Sequence, residues 1–244
     1  MWLHLQELQS LKVLYMKQRE RLEKENILSY QPLIDSSLLE KALSGCKGTI
    51  CPEGDKIFRA FSLCSLDSLK AVFVGQDPYP QRGVATGILF GNRKDVPEEC
   101  LSPSLKVVKE ASINYEIPHD CVIFDNTLES WGRQGILMIN SAFTVRENMP
   151  GSHALLWQPF VSELLRRLSR KETGLVYVLF GSRAQSFESC IDSKLNTVLK
   201  VPHPAWYART GQKMPSDIFC RVREEISDRY GTTIYFYKEL KDYD

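Results

Sequence analysis

"KAVFVGQDPYPQRGVATGILFGN", residues 70–92, is the stretch on which the fold turns. Ala71-Val72-Phe73-Val74 is a short apolar run that stops at Gly75-Gln76-Asp77-Pro78-Tyr79-Pro80. A run of that length, bounded by turn residues, reads as a fully buried strand. The two prolines fix φ and remove backbone donors, so the turn after the strand has few ways to move. An amide, an acid and a phenol in such a turn fit a chain reversal or a site. On these six residues both readings stand open.

Three further runs match the first: Ile136–Ile139, Leu175–Phe180 and Thr197–Val201. Between the first two of these, Trp157, Phe160, Val161, Leu164, Leu165 and Leu168 recur with helical spacing and predict one apolar helix face. Arg166, Arg167, Arg170 and Lys171 stand at the carboxyl end, where the helix dipole favours cations, and Gly174 supplies a stop. A helix after Phe180 and another over 215–229 complete an alternating pattern. That pattern predicts an α/β fold of three layers, α/β/α, around a central, mainly parallel four-stranded sheet. A single domain over 1–244 is expected, with 1–45 as a helical segment packed on it.

The residues just past each strand narrow the choice. The first strand ends in Gln76, Asp77 and Tyr79, the second in Asn140-Ser141, the third in Gly181-Ser182-Arg183, the fourth in Pro202-His203-Pro204. In open parallel sheets ligands bind outside the carboxyl ends of the strands. Four such ends carrying polar groups favour a site over four unrelated turns.

The totals bound what that site serves. The 244 residues are 43% hydrophobic and 25% charged with net charge +1, an ordinary globular composition without overall basicity. Binding to nucleic acid depends on where charges sit, so neutrality does not exclude a basic face. Seven cysteines, an odd number without CxxC spacing, suggest neither a disulfide framework nor a metal cluster and fit a reducing, cytoplasmic compartment. Leu5, Leu8, Leu11 and Leu14 predict an amphipathic helix at the amino end rather than a signal peptide, and no stretch is apolar enough to span a membrane.

The candidate residues contain no activated nucleophile. The chain has no GxSxG elbow, phosphate loop, dinucleotide turn or zinc-deaminase signature. Asp77 can polarise a water and His203 can donate to developing negative charge. Asn140 offers an acceptor and two donors suited to the edge of a flat heterocycle, and Phe90 a ring for its face. The set suits hydrolysis with a planar, anionic leaving group.

"GQDPYPQRGVATGILF" resembles the GQDPYHGPGQAHGLAF-type motif of the uracil-DNA glycosylase family. "ICPEGDKIFRAF" (50–61), "LSPSL" (101–105), "WGRQGILMINSAFTVRENMPGSH" (131–153), "LFGSRAQ" (179–185) and "HPAWYA" (203–208) resemble the family's other segments in the same order. The resemblance implies a metal- and cofactor-independent enzyme that removes uracil from single- or double-stranded DNA. Asp77 would activate the water and His203 would stabilise the departing uracil anion. Asn140 would read the base edge, Phe90 would stack on it, Tyr79 would exclude thymine, and Gln76 would contribute backbone. Ser104, Gly181 and Ser182 would hold flanking phosphates, and Tyr207 stands where the family has a leucine that wedges into the duplex. Pro80, Thr86 and Ala205 also depart from the family pattern, and two alternatives stay open. One is a glycosylase of other deaminated bases or mainly of single strands; the other is a DNA-binding replication partner on the same fold. A monomer is expected, with proteinaceous glycosylase inhibitors or replication proteins as possible further partners.

Overall fold

A computed structural model describes residues 20, 22–115 and 121–240. The expected helix at Leu5–Leu14 lies outside them. A helix over 22–29 (α1) leads into α2 (Ser36–Gly45), which Asp35 caps by accepting from the Leu38 N–H at 3.2 Å. The strands are β1 (Ile50–Cys51), β2 (Ala71–Gly75), β3 (Val122–Ile123), β4 (Ile136–Asn140), β5 (Val145–Arg146), β6 (Val176–Phe180), β7 (Thr197–Val201) and β8 (Lys238–Glu239). The remaining helices are α3 (Arg59–Leu63), α4 (Pro103–Ser112), α5 (Glu129–Arg133), α6 (Ala154–Lys171), α7 (Gly181–Gln185), α8 (Pro204–Thr210) and α9 (Asp217–Tyr230).

The central sheet has the order β4-β2-β6-β7 and all its pairs are parallel, as the four apolar runs predict. β2, β4 and β6 are buried along their whole length. Successive side chains in a strand point to opposite faces, so each strand divides its residues between two cores. Val72, Val74, Leu137, Ile139, Tyr177 and Leu179 join α6 and α3 on one face. Ala71, Phe73, Ile136, Met138, Val176 and Val178 join α4, α5 and α9 on the other. All six periodic residues of α6, from Trp157 to Leu168, are buried in the first core. β7 closes one edge with an exposed lysine, Lys200, whose Nζ reaches Glu188 at 3.0 Å, and a charged edge discourages further strand pairing. Two short antiparallel ladders, β1–β5 and β3–β8, lie outside this sheet.

The register aligns the strands' carboxyl ends. Gly75 pairs with Asn140, and Phe180 with Val201, so the segments that leave β2, β4, β6 and β7 emerge at one end of the sheet.

Candidate active site

The residue that ends β2 makes room for its neighbours. A Cβ on Gly75 would stand 2.1 Å from Leu89 Cδ1 and 3.0 Å from Asn140 Oδ1, so only glycine permits this approach. Asn140 itself ends β4, is 9% exposed, and its buried Oδ1 has no hydrogen-bond partner. An unsatisfied buried carbonyl costs about 1–3 kcal/mol. An atom held at that cost beside a cavity is an acceptor awaiting a donor.

Asp77 lies past β2 in the proline-bounded turn. Its Oδ2 accepts the backbone N–H of Gly151, from the loop before α6. Burial raises the carboxyl above its ordinary value, opposed by that N–H, by the Arg183 guanidinium and by the Gln76 side chain. Sequence reasoning misses this partner: Gly151 shows only a Pro-Gly turn signal, with no chemistry attached. The turn is anchored again at Pro80, whose carbonyl accepts the Asn148 N–H at 2.9 Å. Gln76 does not line the cavity, and its carbonyl is occupied by Ser141 Oγ at 2.7 Å and Ala142 N at 3.1 Å.

His203 lies two residues past β7 and caps α8. Its Nδ1 accepts the Ala205 N–H at 3.2 Å, which leaves the proton of the neutral ring on Nε2. Burial, with the charge of Arg209 second, pushes its pKa down to about 4, so the ring is neutral at neutral pH. Gly181, at φ +85, lies directly behind it: a Cβ there would meet His203 Cβ at 2.8 Å.

Phe90 has φ +62, a conformation that L side chains rarely adopt. Thr86 braces the turn that carries it, donating to the Gly91 carbonyl at 3.2 Å and accepting from the Ile88 N–H at 3.3 Å. The Phe90 ring meets Phe180 and His203 edge-on, with centroids 5.1 and 5.5 Å apart. Opposite stands Tyr79, whose hydroxyl donates to the Phe90 carbonyl at 3.1 Å and lies 2.5 Å from Ser102 Oγ. Burial pushes this phenol up to about 12.

Asp77, Tyr79, Phe90, Ser104, Asn140 and His203 therefore line one cavity of about 30 Å³. Its walls bring acidic, amide, imidazole and aromatic groups together around that space. Ser104 is a buried wall residue at the start of α4, while Ser182 is exposed at the start of α7. Tyr207 is 5% exposed and packed in the second core, whereas its neighbour Trp206 is 37% exposed. The helix beginning at Pro204 turns Tyr207 toward α4 and Trp206 outward, with the two rings edge-on at 4.9 Å. Position in a motif does not reveal which of two adjacent aromatics a helix will bury.

A neutral imidazole donor, a partnerless amide acceptor, an aromatic wall and a desolvated carboxylate, set at the ends of parallel strands, define a hydrolase-like pocket for an uncharged nucleobase. Residues 61–227 match the model of the "Uracil DNA glycosylase superfamily", and the chain belongs to that family. A uracil-DNA glycosylase of Campylobacter jejuni (strain 81-176) is 38% identical over 166 residues, covering 66% of this chain and 68% of that one. One of Amoebophilus asiaticus is 40% identical over 162 residues, covering 66% and 71%. The crystal structure of mimivirus uracil-DNA glycosylase superposes with a TM-score of 0.68 at 26% identity, covering 82% of this chain and 78% of that one. A variant of the mimivirus protein in complex with UGI gives the same TM-score at 25% identity, covering 82% and 79%.

Proposed function

We propose that this chain hydrolyses the N-glycosidic bond of deoxyuridine in DNA, releasing uracil and leaving an abasic site. The observation that supports it most directly is the buried, unpartnered Oδ1 of Asn140. Uracil carries an N3–H to satisfy it. Cytosine presents a lone pair at N3 and would leave both groups unpaired, at about 1–3 kcal/mol per group.

The target atom is inaccessible in a duplex, so the nucleotide must flip out, at a cost of about a few kcal/mol. The ring then enters the cavity between Tyr79 and Phe90 and stacks on the latter. As the bond from C1′ to N1 breaks, both its electrons leave with the base, and the negative charge spreads onto uracil O2. His203 donates its Nε2–H to that oxygen. A neutral donor serves here because the imidazole's low pKa leaves it uncharged at neutral pH. Asp77 orients a water toward C1′ and takes its proton as the new C–O bond forms.

Ser104, Gly181 and Ser182 are proposed to meet the flanking backbone. Trp206 replaces Tyr207 as the aromatic presented to DNA, because it is the exposed one. Likeness to the mimivirus UNG–UGI complex supports a proteinaceous inhibitor as a second partner, which titrating UGI into the assay below tests.

The deciding assay is uracil release from single-stranded, U·A and U·G oligonucleotides, with EDTA present and no added metal. Release from all three is expected. No release from any overturns the reading in favour of a DNA-binding protein without this activity.

A further inference from the structure

The hydroxyl of Tyr79 is held at two points that belong to different parts of the fold. One is the Phe90 carbonyl, in the opposite wall of the cavity. The other is Ser102, the N-cap of α4. A proton count orders the bonds. The phenol gives its single proton to the carbonyl, so the Ser102 hydroxyl donates to the phenol oxygen while its own oxygen accepts the Leu105 N–H at 3.4 Å. Ser102 is fixed in turn, its N–H donating to Oδ1 of the buried Asn92 at 2.8 Å.

Both anchors rest on the second core, reached from opposite sides of the cavity. Phe90 is itself buried in the second core, so its carbonyl fixes the phenol from the far side of the cavity. Ser102 sits on a helix whose Leu105 and Val108 are locked in the second core. We propose that Ser102 is a positioning residue that sets specificity at the base's C5 edge, because its hydroxyl ties the oxygen end of the Tyr79 ring to the N-cap of α4. The prolines hold the backbone end of the ring and Ser102 holds the oxygen end, so the ring cannot pivot away from a C5 substituent. The inference rests on Tyr79 acting as the gate against thymine.

The test measures kcat/KM for uracil, 5-fluorouracil and thymine in otherwise identical DNA, for wild type and for Ser102→Ala, Ser102→Thr, Tyr79→Phe and Tyr79→Ala. Ser102→Ala should raise the 5-fluorouracil-to-uracil and thymine-to-uracil ratios about tenfold, the change expected from one ordinary hydrogen bond. Ser102→Thr keeps the hydroxyl and should restore the wild-type ratios. Tyr79→Phe should raise them without further effect from adding Ser102→Ala, since both remove the same bond. A general weakening of α4 would lower all three substrates together and leave the ratios alone, which overturns the proposal. If Tyr79→Ala releases thymine while Ser102→Ala leaves the ratios unchanged, the gate stands and the role of Ser102 falls. If Tyr79→Ala releases none, the gate itself is wrong and the proposal falls with it.

Discussion

Asp77 and His203 are displaced in opposite directions by the same cause, since burial disfavours the charged form of each. Their pH effects therefore differ in sign. His203, held at about 4 against an ordinary 6.5, supports the fold fully above about pH 6.5 and loses that support as the pH falls through about 4, because the unfolded chain takes the proton first. The contribution is at most about 3 kcal/mol. His203→Gln should flatten the acid limb of a urea-denaturation series between those values. A limb unchanged from wild type would show that the imidazole is not held neutral. Asp77 acts in reverse, costing stability while it is charged. Asp77→Asn should accordingly lose at least about a hundredfold in single-turnover uracil release, yet melt no lower than wild type at pH 7. Its amide oxygen can still accept the Gly151 N–H. Full activity in this variant would remove Asp77 from the reaction.

Two short helices at the sheet's carboxyl end decide whether those side chains meet. α7 begins at Gly181, where alanine would face both an unfavourable positive φ and the Cβ of His203. Gly181→Ala should lower kcat at least about tenfold by moving the imidazole, since small misplacements of reacting groups carry large rate penalties. A variant with unchanged kcat would show that His203 can retreat without consequence. On α8 the two aromatics should separate cleanly. Tyr207→Ala removes a core ring and should cost about 3–5 kcal/mol of stability. Trp206→Ala should leave the melting temperature nearly unchanged and weaken DNA binding, by about 1–3 kcal/mol if one base stacks on it. The reverse pattern would restore Tyr207 as the ring that meets DNA. This division is not legible in the sequence, because a seven-residue helix flanked by prolines and threonine shows too little periodicity to orient. The four strands and the face of α6 are legible, since their apolar spacing is long and regular. Asp77, Tyr79, Asn140 and His203 can be gathered from strand ends, while Phe90 is found only as a ring lying further along the same turn region. Gly151, Ser102 and the brace made by Thr86 cannot, because each acts through a contact between distant segments that no local pattern announces.

At the scale of the molecule, the sheet is sealed on both faces, so its stability is shared between two cores built from alternate residues of the same strands. Leu165, wholly buried in the α6 core, should cost about 2–5 kcal/mol when replaced by alanine. Uracil release by the folded fraction should stay near wild type, because Leu165 lies in the first core rather than among the cavity's lining residues. A specific loss of turnover at full folding would mean that the helix transmits strain to the loop that precedes it. The loop supplies the Gly151 N–H to a carboxylate 74 positions earlier in the chain. That contact joins the turn after β2 to the loop before α6, so it exists only where both are docked. A half-folded molecule, even one with its sheet in place, lacks the backbone donor that sets Asp77.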